Sequence, residues 1–343
     1  MGDKKTIKCL VWDLDNTLWD GTLLEGDDIV LREGVVDVIR ELDNRGILLS
    51  IASKNEPEDA LEALSRFGLL EYFLVPQIGW GPKSDSIAEI ARLLNIGLDT
   101  FAFIDDQPAE RAEVTFHHPE VRVYDASEYL TLPDLPEFTP RFITPDSKLR
   151  RKMYQDDLQR REVEEQFAGN SEAFLKSLNM KLTLSRVKEG DLERVEELTL
   201  RTNQLNSTGA TYDYEELRSF IHSDEHLFLI AELTDKFGDY GKIGLALAER
   251  SEHALTIKLL LMSCRVMNRG IGSAFLVHLA KTAKAEGLDL LADFVSTGRN
   301  RAMYITYKLM GFEEIRQEGN WSLLKYSGAE KEYPDYLEVE VIE

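Results

Sequence analysis

Two aspartates stand two residues apart, Asp13 and Asp15, in the run VWDLDNTLWDG, directly after a short apolar stretch. If IKCLVW is a strand, both carboxylates leave its end toward one site, an arrangement suited to nucleophilic and proton-transfer work on a phosphoryl group. Taken alone, D-x-D at a strand end is equally an ordinary acidic turn. Three later runs add partners for the chemistry: Ser53 after ILLSIA, Lys83 in GPKSDS, and Asp105 with Asp106 after FAFI. Clustered carboxylates repel each other and a phosphate, so a hard dication together with Lys83 is needed to reverse the field.

A second constellation lies in LLLMSCRVMNRGIGSAFLVHLAKTA, where a strand, a glycine turn (Gly270, Gly272) and a helix present unpaired backbone N–H groups to an anion. Cys264 falls where that strand ends. Arg265 and the helix start would favour its thiolate and let it carry an acyl group, while the alternative is a small core filler. The run RTNQLNSTGATYDY supplies Asn203, Gln204, Asn206 and Thr208, which either read ligand hydroxyls or form a polar cap and turn. Arg265, Arg269, Arg299, Arg301 and Lys308 form either a basic patch that docks an acidic partner or part of a mixed charged surface. Cys9 reads as buried packing, and the histidines show no ligand spacing. Trp19 and Trp80 flank the first motifs and either wall the pocket or pack.

The elements that must position these groups follow from periodicity. Residues 7–124 alternate short apolar runs with amphipathic stretches, a βαβα pattern that predicts a parallel sheet with its sites at the strands' carboxyl ends. The proline-rich LPDLPEFTPRFITPD and the charged KLRRKMYQDDLQRREVEEQF read as a linker and an exposed helix. Beyond residue 181 the order β-α-α-β-β-β-α-β-α-β is α+β. The expected domains are therefore 1–130, a linker and helix at 131–180, and 181–343.

Of 343 residues, 62 are acidic and 40 basic, a net charge of −22, which argues against nucleic acid as a partner. No apolar run approaches the ~20 residues of a membrane span, and the opening residues lack the pattern of a secretory signal. Cys9 and Cys264 form no metal or disulfide pattern, so a cytoplasmic location is expected.

The four spaced motifs of residues 7–124 together resemble the haloacid dehalogenase-like (HAD-like) phosphohydrolases. That resemblance implies a Rossmannoid fold with a minimal cap. It also implies that Asp13 is the nucleophile, Asp15 the general acid–base, and Ser53 and Lys83 the phosphoryl ligands. Magnesium would be held by the Asp13 carboxylate, the Asp15 carbonyl and one or both of Asp105 and Asp106.

The glycine turn and NRAMYITYKLMGFEEI together resemble GNAT-type acyltransferases over roughly 181–326. Tyr307 then falls at a thiol-protonating position and Asn300 near a common asparagine. Met267 stands where that family usually has arginine or glutamine, a departure that favours carrier-bound phosphopantetheine over free coenzyme A.

The whole run of motifs, with ASKN, GWGPKS, FIDDQP, RTNQLNSTG, KIGLALAE and LLMSCRVMNRG, resembles the stand-alone FkbH-like proteins. This implies dephosphorylation of 1,3-bisphosphoglycerate and delivery of a glyceryl thioester to an acyl carrier protein, for methoxymalonyl-type polyketide extender units. Many relatives read CSKN where this chain has Ala52 to Asn55, which leaves Cys264 as the available carrier thiol. Two alternatives stand beside it: a simple phosphatase fused to a coenzyme A-dependent N-acetyltransferase, and a carrier-binding scaffold whose second half is not catalytic.

Overall fold

The computed structural model describes residues 6–26, 28–202 and 204–342. The chain divides into two compact units, Met1–Gln155 and Asp156–Glu343. No helix among the described residues is long and apolar enough to cross a membrane.

The first unit is built on β1 (Cys9–Trp12), fully buried as expected of a central strand covered on both faces. A two-stranded flap follows, β2 (Trp19–Asp20) and β3 (Val30–Leu31). Next come α1 (Val35–Asn44), β4 (Leu48–Ser53), α2 (Pro57–Arg66), β5 (Gln77–Ile78), α3 (Lys83–Leu94), β6 (Phe101–Asp105), α4 (Pro108–His117) and β7 (Arg122–Asp125). The five-stranded sheet has the order β5-β4-β1-β6-β7, all parallel. The chain winds outward from β1 through β4 to β5, then returns to the opposite side of β1. That reversal opens a crevice at the carboxyl ends of β1 and β6. Trp12 pairs with Ile104, so the next residues along, Asp13 and Asp105, arrive side by side at the crevice.

The proline-rich stretch differs from the expected linker. Its Leu132 and Phe138 join the first unit's core beside Tyr129, and the short helix α5 (Pro145–Lys148) continues from it. The charged helix α6 (Arg150–Gln166) contains the division between the units and is not simply exposed. Within the first unit, Arg150 donates to Gly46 O at 2.9 Å and Arg151 pairs with Asp43 at 3.0 Å.

The second unit continues with α7 (Ser171–Ser177), β8 (Met180–Arg186), α8 (Leu192–Arg201), α9 (Tyr214–Ile221), β9 (His226–Asp235), β10 (Gly238–Arg250) and β11 (Ala254–Met262). It closes with α10 (Ile271–Glu286), β12 (Asp289–Val295), α11 (Arg301–Met310), β13 (Phe312–Glu318), β14 (Trp321–Tyr326) and β15 (Leu337–Ile342). Its eight strands form one mixed sheet, β13-β14-β12-β11-β10-β9-β8-β15. One apolar face packs on α10 and α11, the other on α8 and α9, which makes this unit the expected α+β layer structure.

Here the later part of α6 contributes a buried ion pair. Arg160 donates to both oxygens of Asp235, at 2.7 and 2.8 Å, with both side chains fully buried. Its guanidinium lies over the Tyr240 ring at 3.8 Å, and the Tyr240 hydroxyl donates to the same carboxylate at 3.0 Å.

Candidate active site

At the crevice, carboxylate oxygens of Asp13, Asp105 and Asp106 lie within 4.8 Å of one another. The ammonium of Lys83, first residue of α3, sits among them. It donates to Asp13 Oδ1 and, at 2.7 Å, to Ala52 O, and lies 3.3 Å from Asp105 Oδ2 and 3.8 Å from Glu110 Oε2. Lys54 pairs with the other Glu110 oxygen at 2.6 Å. The four carboxylates outnumber these two ammonium groups, and Arg111 adds further compensation at Asp106.

The groups feel that imbalance. Burial, reinforced by Asp105, pushes the Asp13 carboxyl up to about 6 although Lys83 draws it down. Burial likewise raises Asp105 against the pull of Lys83, and raises Asp106 with help from Asp13. Burial alone would lower the Lys83 ammonium, but Asp13 and Asp105 hold it above its ordinary range. Asp105 Oδ2 faces Lys83 without a formed hydrogen bond, and Asp106 Oδ1 is buried with no donor among the described residues. Converging, undersaturated carboxylate oxygens suit a hard, oxygen-seeking dication, so the donor set fits magnesium.

Asp15 stands apart from this cluster. The chain turns immediately after it, because Asn16 takes a left-handed conformation (φ 53°), one that asparagine tolerates. The amides of Leu18 and Trp19 then return to Leu14 O. Asp15 Oδ1 accepts from Trp19 Nε1 at 2.8 Å and from the Leu23 amide at 3.2 Å. Asp15 Oδ2 accepts from Asn55 Nδ2 at 3.0 Å. Ser53, buried at the end of β4, accepts from the same Asn55 amide at 3.2 Å. The Thr17 hydroxyl accepts from the Asp106 amide at 3.1 Å, tying the β1 loop to the β6 loop.

Asn55, Glu110 and Thr17 had no role in the sequence reading. Asn55 and Thr17 left a trace there, within ASKN and VWDLDNTLWDG. Trp19 is buried and works as a donor to Asp15, whereas Trp80 is 61% exposed and donates to Glu56 Oε1 at 3.3 Å. Cys9 is fully buried, and burial pushes its thiol far up, as packing requires.

The second constellation is built differently. β11 and β12 pair only over Ala254–Ile257 and Asp289–Ala292, and then part. The segment at 205–207 fills the parting. Ser207 N donates to Leu260 O at 2.9 Å, Leu260 N to Ser207 Oγ at 2.9 Å, and Val295 N to Ser207 O at 3.0 Å. Tyr307, fully buried on α11, directs its hydroxyl toward Ser207 without a well-formed hydrogen bond, and burial raises its pKa. Cys264 is half-buried in the turn after β11.

Several expectations change here. Asn206 Oδ1 accepts from the Thr208 and Gly209 amides, at 3.1 and 2.8 Å, and its Nδ2 donates to Ala210 O at 3.0 Å. Asn300 Nδ2 donates to Asn206 O and Val295 O, both at 2.9 Å, and its Oδ1 accepts from Thr297 N at 3.1 Å. Both amides are spent holding loops and are not free to read a ligand hydroxyl. Thr208 Oγ1 joins the same turn by accepting from Ala210 N at 3.4 Å, Gln204 is exposed, and Asn203 lies outside the described residues.

Arg265 and Arg269 are buried rather than part of an exposed patch. The first donates to Tyr240 O at 3.0 Å and the second pairs with Glu164 at 3.0 Å. Arg299, Arg301 and Lys308 are exposed. Gly270 begins α10 at φ 81°, and a Cβ there would meet the Tyr336 hydroxyl at 2.6 Å; one on Gly272 would meet the Met262 methyl at 3.0 Å. Backbone conformation and close packing thus account for both glycines.

No family model and no curated protein matches the chain. Among solved structures it is similar to the N-terminal part of BF1531 from Bacteroides fragilis, which contains a phosphatase domain and is complexed with Mg. The identity is 36% and the TM-score 0.33, over 37% of this chain and 39% of that one. It is also similar to NAA60 of Arabidopsis thaliana in complex with a bisubstrate analogue, at 16% identity and a TM-score of 0.34, over 42% of this chain and 98% of that one. A third is the ribosomal-protein-S18-alanine N-acetyltransferase of Escherichia coli, at 17% identity and a TM-score of 0.34, over 43% of this chain and 96% of that one. The chain itself is an α/β unit carrying a buried carboxylate–lysine cluster at its sheet reversal, followed by an α+β unit on a mixed sheet.

Proposed function

We propose that the first unit is a magnesium-dependent phosphohydrolase and that the second passes a glyceryl unit to the phosphopantetheine thiol of an acyl carrier protein. The observation that carries the reading is the cluster of Asp13, Asp105 and Asp106 around Lys83, in which carboxylates outnumber the one ammonium group. Magnesium, when bound by Asp13, Asp105, Asp106 and the Asp15 carbonyl, supplies the positive charge that lets a phosphate approach these acids.

An Asp13 oxygen attacks phosphorus, the bond from phosphorus to the leaving oxygen breaks, and Asp15 gives that oxygen a proton. Asp15 then takes a proton from water as the water oxygen attacks the phosphorus of the aspartyl-phosphate, freeing Asp13 and inorganic phosphate. Lys83 and the Ser53 hydroxyl hold the phosphoryl oxygens as charge shifts among them.

The resemblance to the FkbH-like proteins supports 1,3-bisphosphoglycerate as the substrate, the 3-phosphate being removed at this site. In the second unit the Cys264 thiolate attacks the acyl-phosphate carbonyl, the bond from carbonyl carbon to phosphate oxygen breaks, and a glyceryl thioester remains. The carrier sulfur then bonds to the carbonyl carbon as the Cys264 sulfur leaves, and the carrier thiol's proton passes to the departing sulfur by way of Tyr307, which burial keeps neutral.

Intact-mass analysis of the chain and candidate carriers with magnesium and 1,3-bisphosphoglycerate tests this. The proposal expects a carrier heavier by one glyceryl group and no loading with Cys264→Ser. Phosphate release with an unchanged carrier mass would contradict the transfer half and leave a simple phosphatase.

A further inference from the structure

Asn55 lies two residues beyond Ser53 and is fully buried. Its single –NH2 group serves two acceptors, Asp15 Oδ2 at 3.0 Å and Ser53 Oγ at 3.2 Å. The other Asp15 oxygen is held from the flap, by Trp19 Nε1 and the Leu23 amide. Asp15 is therefore fixed from both sides, by the flap and by Asn55 forty residues further along the chain, and Asn55 is the group that also reaches the phosphoryl-binding hydroxyl. Reversing the amide would put its oxygen against a carboxylate oxygen, so the donor end sets its orientation. Asn55 Oδ1 is buried and accepts no hydrogen bond among the described residues.

We infer that Asn55 is a positioning residue for proton transfer, holding the Asp15 carboxyl in register with the phosphoryl group that Ser53 binds. This rests on the reading of Asp15 as general acid–base. As the Asp13 oxygen bonds to phosphorus and the old P–O bond breaks, the proton on Asp15 passes to the departing oxygen. An aliphatic alkoxide cannot leave without that proton, whereas p-nitrophenolate leaves unaided. Loosening Asp15 therefore lowers kcat/KM, which reports formation of the aspartyl-phosphate and not its shared hydrolysis, far more for aliphatic phosphates than for p-nitrophenyl phosphate, a signature that general destabilisation does not produce.

The test compares kcat and KM of the full chain, with magnesium, on p-nitrophenyl phosphate and glycerol 3-phosphate, for wild type, Asn55→Ala, Asn55→Asp and Asp15→Asn. Asn55→Ala is expected to lose about tenfold or less in kcat/KM on the nitrophenyl ester and about 10²-fold or more on the alkyl ester, the lower end of what a positioned acid contributes. Asn55→Asp, equal in size but turning an oxygen toward Asp15, loses at least as much. Asn55→Ser keeps one donor and serves if the alanine variant unfolds, with part of the alkyl activity retained. Equal losses on both esters in the Asn55 variants, while Asp15→Asn discriminates between them, would overturn the inference. If Asp15→Asn itself fails to discriminate, the assignment of Asp15 falls, and the role of Asn55 with it.

Discussion

The two units place polar side chains in their clefts by opposite logic. In the first, adjacent parallel strands end in Asp13 and Asp105, and the sheet's register forces like charges together around one lysine, leaving carboxylate oxygens undersaturated. In the second, Asn206 and Asn300 spend their hydrogen bonds on their own loops, and Arg265 and Arg269 are buried against Tyr240 O and Glu164. What sets the first site apart is like charge converging on one lysine, whereas the two amides of the second unit turn their donors and acceptors on their own loops.

The sharpest way to break this contrast is to remove one charge from each kind of site. Asp13→Asn should lower phosphatase turnover by about 10⁴-fold or more, the scale of losing a covalent nucleophile, with the melting of the second unit unchanged. Phosphate release and calorimetric unfolding on the same preparation read both effects. Asp235→Ala should do the reverse. It strands the buried Arg160 guanidinium, costs the second unit about 3–5 kcal/mol in denaturant unfolding, and leaves turnover on p-nitrophenyl phosphate unaltered.

Acid sharpens the same point. Burial favours the protonated form of Asp235, but Arg160, the Phe237 amide and the Tyr240 hydroxyl together hold its pKa below the ordinary aspartate value. The unfolded chain therefore binds the proton first as pH falls. The stabilisation is full above the unfolded value near 4 and drains away as pH drops through the lower folded value. Asp235→Asn should flatten the acid limb of the second unit's stability profile; a limb as steep as wild type would show that Asp235 does not shape it.

The smallest effect separates loop-building from ligand-reading. Asn300→Ala should cost about 1–3 kcal/mol, the penalty for stranding the carbonyls of Asn206 and Val295, and should not alter KM for the carrier with its free phosphopantetheine thiol in a transfer assay. A raised KM with unchanged stability would return Asn300 to a binding role.

The first site was legible because its acids terminate apolar strands, and strand ends in a parallel sheet converge wherever the winding reverses. Asp13, Asp15, Ser53, Asp105 and Asp106 can be found that way, whereas Lys83, which opens α3, is marked by the run GPKSDS. Asn55 could not, since its use as a donor depends on a loop forty residues earlier, nor could Glu110, which reaches Lys83 from inside α4. In the second unit an asparagine in a loop has the same sequence whether it binds ligand or its own backbone. The charges of α6 looked solvated for a similar reason, because Asp235, the partner of Arg160, lies 75 residues away.

Magnesium titration calorimetry on the wild type and on the Asp105→Asn and Asp106→Asn variants tests the central claim most directly, with phosphate release followed in parallel. The account predicts saturable binding of a single ion in the wild type, strongly weakened in at least one variant, with turnover falling alongside it and vanishing in chelator. Undiminished binding in both variants, or full turnover without the metal, would contradict it.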